Sequence, residues 1–502
     1  MTDQLPIVII LGPLLGAILA AFTGWFRPRL SHPLVVLGLA ISFAAALKLV
    51  FIVADAGAQK YWLGGWGEKV IPGQKEPFVV GIQITVDYLN TLLLVAVSGI
   101  ALLTSVYTKR LVDTELAGRQ RYFYALFSLL VTGLLGITIT GDIFNLYVFM
   151  EIAALSSYAL IAMGRGRRAL TAAFGYLVMG TIGSTLIVIG IGLLYVMTGT
   201  LNMADLAQIL PELEPNRTIP VAFTFLTVGI TLKLALFPLH LWLPNAYTYA
   251  PSAVTAFIAS TATKVAVYLL LRFFFTIFGA SFSFGEMQLD KVLMPLALVA
   301  ILTMSIVAIY QDNVKRLLAY SSVAQIGYMV LGISLASALG LTAGILHLFN
   351  HALMKGALFM AMGCVMYRVG SVRIERMNGL GRAMPWTMAA FVAGGLSIIG
   401  VPLTVGFISK WYLIQAALEQ GLWPVAVVVL VGSLLAVVYV WKVVEVAYFR
   451  DLDADADIQE APLSMLIATW ALVLANFWFG IDASATTGVA RRAAEVLLGV
   501  GS

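Results

Sequence analysis

Of the 502 residues, 61% are hydrophobic and only 11% are charged, against about 25% charged in an ordinary soluble domain. A mean hydropathy of +0.96 and 45 glycines, which membrane helices tolerate better than soluble ones, exclude a water-soluble enzyme and indicate an all-α integral membrane protein. A single cysteine, Cys364, rules out a disulfide framework and a cysteine-built cluster or zinc site, and a formal charge of +5 is too modest to argue for nucleic acid.

A helix needs about 20 apolar residues to cross the hydrocarbon core. Runs of that length between polar or Pro/Gly-rich breaks give fourteen expected spans: 5–26, 34–54, 85–107, 122–140, 143–163, 172–197, 219–244, 252–277, 293–310, 317–338, 340–367, 385–417, 423–449 and 463–480. The first is long enough to span and lacks a basic stretch ahead of it, so it reads as a helix and not as a cleaved leader. The longest connections are 55–84, rich in Gly, Lys and Trp, and 198–218, with Pro211 and Pro215; neither leaves room for a soluble domain. The acidic run from Asp451 to Asp457 reads as a solvated loop rather than a metal site.

Loops after odd-numbered spans hold sixteen Lys and Arg residues, whereas even-numbered loops and the two ends hold seven. Cytoplasmic loops carry the basic excess, so the odd loops are expected in the cytoplasm and both termini outside. The remaining seven basic residues fall inside spans: Lys48, Lys233, Lys264, Arg272, Lys355, Lys410 and Lys442. A charge at the centre of a span costs about 2.5–3.5 kcal/mol on insertion scales, so it tends to persist where it faces a partner or a wet cavity. Lys48 and Lys442 lie near span ends and can snorkel; Lys233, Lys264, Lys355 and Lys410 lie deep.

Glu151 is the acid placed well inside a span, in GDIFNLYVFMEI, with Tyr147 and Tyr158 at helical spacing on its face. A buried acid and a buried amine that can pair and separate hold a proton whose affinity depends on their distance, which is a means of gating; the alternative is a static ion pair fastening two helices. In LKLALFPLHLWLPNAY, Pro238 removes a backbone donor in mid-span, so this helix is expected to break or kink. Lys233 and His240 would lie two turns apart on one face. The twelfth span repeats the device, with Pro402 inside the run and Lys410 eight residues on. Two interrupted helices in corresponding places of two halves point to an inverted-repeat transporter. Carbonyls freed by such breaks must meet protein or water, and the expectation at Lys410 is water.

His347, His351 and Lys355 follow at i, i+4 and i+8, a line roughly 12 Å long up one helix face. Histidine suits proton relay because its ordinary pKa is near neutral. Packing and a metal site are the alternatives, though no third ligand accompanies the two histidines. Lys264, Tyr268 and Arg272 repeat the spacing, with Ser260, Thr261 and Thr263 nearby to hold water.

GDIFNLYVFMEIAALSSYAL, LKLALFPLHLWLP, TATKVAVYLLLR, HALMKGALF and GVPLTVGFISK resemble, in order, the signatures of the antiporter-like subunits shared by respiratory complex I and the Mrp multisubunit cation/proton antiporters, over about residues 85 to 450. The run LLYVMTGTLNMADLA, the length near 500 and the absence of a long lateral helix after span fourteen are most similar to the D subunits of the Mrp type. The resemblance implies about fourteen helices in two inverted five-helix repeats with a broken helix in each half, divided as 1–110, 111–278, 279–450 and 451–502. It implies Glu151 and Lys233 as a gating pair, Lys264 as a connecting lysine, His347, His351 and Lys355 as a central relay, and Lys410 as the terminal lysine, with His240 beside the first break. Where the family often has Asp-Ala-His this chain has Asn245-Ala246-Tyr247, which bears on the mouth of the first half only.

The expected function is a proton- and cation-translocating subunit of an antiporter in the bacterial inner membrane, partnered by other membrane subunits. It would exchange H+ for Na+ or K+, and no cofactor, metal or nucleic acid is called for. The alternatives are a pumping subunit of a complex I-type oxidoreductase or membrane-bound hydrogenase, and a stand-alone solute carrier. No carboxylate-rich cation cage is legible, which leaves the coupled ion open.

Overall fold

The structure, a computed structural model, describes residues 4–69, 78–79, 81–452 and 458–500. The acidic run expected as a loop therefore lies, from Asp453 to Asp457, outside the described residues.

Helices α1 (Leu5–Phe26) and α2 (Ser31–Ala56) pack against each other and lead into short antiparallel strands, β1 (Gln59–Trp62) with β4 (Gln83–Val86) and β2 (Glu68–Lys69) with β3 (Phe78–Val79). These strands occupy the long connection in which the sequence leads one to expect only loop. Asp87 then caps α3 (Tyr88–Glu115): its carboxylate accepts from Leu89 N and Asn90 N while the Asn90 side chain accepts from Asp87 N. Helix α3 runs eight residues past its expected end, so Glu115 is helical. Helices α4 (Gln120–Ile139), α5 (Ile143–Ala162) and α6 (Arg167–Thr198) follow, and the short α7 (Met203–Ile209) lies within the next connection.

The expected seventh span is two pieces, α8 (Thr218–Leu234) and α9 (Trp242–Tyr249). Next come α10 (Ser252–Leu271), continued by a wider π-helical stretch at Arg272–Ile277, then α11 (Asp290–Ile309), α12 (Val314–Ser334) and α13 (Ala338–Val369). After the one-turn α14 (Leu380–Ala383), the expected twelfth span is likewise two pieces, α15 (Pro385–Ile399) and α16 (Val405–Glu419), followed by α17 (Trp423–Phe449) and α18 (Leu463–Ile481). Among the described residues, twelve helices are continuous, long and apolar enough to cross a membrane; the two broken ones supply the other expected crossings.

A last helix, α19 (Ser484–Leu498), has no counterpart among the expected spans, because Arg491, Arg492 and Glu495 leave it no apolar run of spanning length. It is amphipathic: Thr486, Ala490, Ala493, Ala494 and Leu497 are buried on one face, which lies against α13 and α3.

Helices α10, α12 and α13 form the centre, buried on all sides over most of their length. The outer helices present Phe22, Leu37, Phe174 and Leu434 outward, a surface suited to hydrocarbon. Close approach of α6 and α8 depends on two glycines, since a Cβ at Gly229 would stand 2.7 Å from the Gly183 carbonyl oxygen.

Candidate functional site

On α5, Glu151 faces α6 and α8. Its carboxylate accepts a short hydrogen bond from the Ser184 hydroxyl of α6 and lies 3.8 Å from Lys233 Nζ, on the last turn of α8. That separation permits charge attraction but not a hydrogen bond, and Lys233 Nζ is buried without a hydrogen-bond partner among the described residues. The two side chains differ in exposure, 8% for Lys233 and 31% for Glu151. The lysine belongs to the interior and the acid to the outer face of the bundle.

Helix α8 stops directly after Lys233. Ala235 adopts a left-handed backbone (φ 60°), the Phe237–Pro238 peptide is cis, and regular helix resumes only at Trp242. The Leu232 carbonyl, which accepts from Ala235 N at 3.2 Å, also accepts from Trp242 Nε1 at 3.1 Å. The break corrects one expectation: Lys233 and His240 do not share a continuous helix face, because no helix joins them. His240 sits in the irregular segment, buried, stacked on Phe237, with Nδ1 unpartnered.

On its inner side Lys233 borders a cavity of about 50 Å³ shared with Ser157, Tyr176 and the α10 residues Ala262, Val265 and Ala266. This exceeds the space one water needs. Beyond it, Lys264 is fully buried and donates to the Ala259 carbonyl at 2.5 Å. Helix α10 meets α13 closely, Gly356 lying against Ser260.

The three expected residues of α13 do form a line. The rings of His347 and His351 are stacked, with centroids 6.1 Å apart and planes at 4°. His347 Nε2 donates to Gln325 Oε1 (2.9 Å), which leaves Nδ1 of a neutral ring to accept from the Ser409 hydroxyl (2.8 Å). His351 has neither ring nitrogen satisfied by protein. Lys355 donates to the Leu318 carbonyl (2.8 Å) and to Ser321 Oγ (3.0 Å), both on α12.

In the second broken helix, α15 ends at Ile399, Gly400 and Leu403 take left-handed conformations (φ 90° and 71°), and α16 begins past Pro402. Lys410 Nζ donates to the carbonyls of Ile398 (2.8 Å) and Ile399 (3.1 Å) and to Ser433 Oγ (2.9 Å). The carbonyls expected to meet water therefore meet the lysine itself, whose three donors are all occupied. The Tyr328 ring connects this end to the centre, lying 4.9 Å from Lys410 Nζ and 5.6 Å from the His347 ring centroid.

Two other charges inside spans serve other ends. Arg272 makes an ion pair with Asp87 at 2.7 Å and donates through Nε to Tyr268, whose hydroxyl donates to the Thr138 carbonyl. The Lys264–Tyr268–Arg272 spacing is thus divided between the central line and a tie to α3 and α4. Lys442 donates to the Ile309 and Gln311 carbonyls at the end of α11. Ser184, Ser321, Gln325, Ser409 and Ser433 are not singled out by sequence reasoning, since each partners an ionisable side chain on another helix; a hydroxyl or amide in an apolar run is the available signal. Lys315, a loop charge by sequence, is buried, its Nζ donating to the Ala250 carbonyl at 3.1 Å.

Residues 140–436 match the family described as NADH:quinone oxidoreductase/Mrp antiporter, TM. The chain belongs to this family. It is 42% identical over 468 residues to the N subunit of the NADH-quinone oxidoreductase of Desulforudis audaxviator, covering 92% of this chain and 90% of that one. It is 30% identical over 446 residues to the D subunit of the Na(+)/H(+) antiporter of Alkalihalophilus pseudofirmus, covering 88% and 87%. Among solved structures it is similar to a chain of the archaeal membrane-bound sulfane sulfur reductase (TM-score 0.89, 30% identity, 99% and 98% covered) and to a chain of the Mrp complex from Dietzia sp. (0.87, 26%, 99% and 97%). Membership and fold together make this a multi-pass membrane protein of the antiporter-like class.

Proposed function

We propose that the chain is a proton- and cation-translocating subunit of a multisubunit Na+ or K+/H+ antiporter, acting in transport and not as an enzyme in itself. The observation that carries this reading is the row of buried basic groups, Lys233, Lys264, His347, His351, Lys355 and Lys410, running through the centre and bounded by a broken helix at each end. Each is costly in lipid. Several are only partly satisfied by protein, and such groups can take up and release protons as their surroundings change. Protons enter one half of the bundle, pass along this row and leave on the opposite side. The Glu151–Lys233 separation sets the proton affinity of Lys233: closer contact favours the ammonium, and separation favours the neutral amine.

Glu151 also speaks for partners. A carboxylate nearly one-third exposed on the outer face would stand against lipid, so a neighbouring membrane subunit covers it, in keeping with the multisubunit complexes in which similar chains are found. The four-part division at 110, 278 and 450, the inverted relation of the two middle parts, placement in a bacterial inner membrane and both termini outside all belong to this reading.

The test is proton-coupled cation exchange in everted vesicles carrying the assembled complex. Lys233→Ala and Glu151→Ala should abolish exchange while leaving assembly intact, and normal exchange in either variant would remove the gating assignment. The similarity to the N subunit of an oxidoreductase supports a second reading, a pumping subunit of a redox complex. Co-purification of iron–sulfur subunits, rather than small hydrophobic ones alone, would select it.

A further inference from the structure

Among the described residues, the row of basic groups leaves one buried lysine unused. Lys315, on the first turn of α12, is 2% exposed, and its Nζ donates to a single protein acceptor, the Ala250 carbonyl in the turn between α9 and α10. An ammonium has three donors, so two are left to water or to a departing proton. Two residues along the same turn, Ser252 N donates to Glu115 Oε2 at 3.3 Å, and the Ser252 hydroxyl is buried without a partner. Glu115 ends α3 and is half-buried, reaching the surface that Lys315 does not. Inward from Lys315, the Leu318 carbonyl one turn along α12 and the Ser321 hydroxyl nearly two turns along hold Lys355.

We propose that Glu115 and Lys315 form a second proton entrance that leads from the surface at the α9–α10 turn to Lys355, beside the one at Glu151 and Lys233, each being needed for a full exchange cycle. The loop charges assign this end of the bundle to the cytoplasm. Glu115 takes a proton from water and, standing beyond ion-pair contact with Lys315, hands it on through water at the unpartnered Ser252 hydroxyl; Lys315 accepts it as a neutral amine becomes an ammonium, and passage to Lys355 along the Leu318–Ser322 turn restores the amine; no electron moves. The entrance rests on the proposed translocation function, and it supplies the second half of the bundle without requiring transfer across α10.

The competing role is mechanical, with Lys315 serving only as a donor that anchors the turn. Arginine separates the two, because it donates as well as lysine but does not release its proton. Exchange would be measured in everted vesicles of the assembled complex for Lys315→Met, Lys315→Arg and Glu115→Gln beside Lys233→Ala. Gln can still accept from Ser252 N, so that variant preserves the turn. All three new variants should assemble and slow exchange about a hundredfold or more, in the range typical of lost acid–base groups, with Arg no better than Met. A wild-type rate in either Lys315→Arg or Glu115→Gln would overturn the entrance. If the Lys315 variants fail to assemble, Glu115→Gln decides alone. Slow Lys315 and Glu115 variants beside a normal Lys233→Ala would instead remove the first-half gate and leave the entrance standing.

Discussion

Lys410 donates to the Ile398 carbonyl at 2.8 Å, and it does so because α15 stops one residue later. In an unbroken helix that oxygen would accept from the backbone N–H four residues on, which is the position of Pro402 and carries no N–H. Proline and lysine are therefore two parts of one arrangement: the first frees the carbonyls and the second binds them.

Pro402→Ala supplies the missing donor and competes with Lys410 for Ile398. Ion exchange in everted vesicles should fall mildly in Pro402→Ala and strongly in Lys410→Ala. If Pro402→Ala exchanges at the wild-type rate while Lys410→Ala is inactive, the lysine stands as a site but its dependence on the break does not.

Lys355 is bound by two acceptors from α12 and has the histidine rings below it on the same helix. Lys355→Met fills a similar volume and carries no proton, so transfer between the two halves should stop. Lys355→Arg should not restore it, since the guanidinium stays protonated. Wild-type proton flux in the Met variant would show that this face of α13 only packs.

Ser184 donates to Glu151 from α6 and so competes with Lys233 for the carboxylate. Ser184→Ala removes a hydrogen bond to a charged group, worth about 1.5–3 kcal/mol, and should strengthen the Glu151–Lys233 attraction. Exchange should slow several-fold without loss of assembly, with the rate optimum moved to higher pH because Lys233 holds its proton more tightly. An unchanged pH profile would show that Ser184 only packs.

Arg272 and Asp87 make a different kind of pair, tight and bonded further to Tyr268 and the α3 cap. Breaking one side of such a buried pair costs about 3–5 kcal/mol. Arg272→Ala should lower the thermal unfolding temperature of the detergent-purified complex far more than Lys233→Ala does. Equal melting curves for the two would contradict a structural role for the pair.

Much of this is legible in the sequence for physical reasons. Membrane helices announce themselves by length, and Pro238 and Pro402 announce the two interruptions because proline lacks a donor. The deep lysines stand out because lipid makes charge costly. What stays hidden depends on chain segments meeting from afar: Ser433 at Lys410, Gln325 at His347, the Ala250 carbonyl at Lys315. Lys315 looks like one of the basic residues flanking a loop, since Arg316 follows it and a polar Asp312-Asn313 precedes it. The expectation that Lys233 and His240 line one face fails because periodicity assumes a continuous helix, and the same proline that marks the break removes that continuity.

The contact of Gly183 with Gly229 carries a consequence for how the protein tolerates change. Helix α8 holds Lys233 one turn beyond Gly229, and α6 holds Ser184 beside Gly183, so the spacing of two bare backbones sets where the lysine stands relative to the hydroxyl that holds the acid. A methyl group added at Gly229 introduces no charge and touches no ionisable atom, yet at 2.7 Å from the Gly183 carbonyl oxygen it would wedge α8 away from α6 and shift Lys233 relative to Ser184, which holds Glu151. Harmful variants in this chain should therefore include apolar replacements of small residues that no inventory of titrating side chains would flag, and a second-site change that thins the opposing helix should repair them.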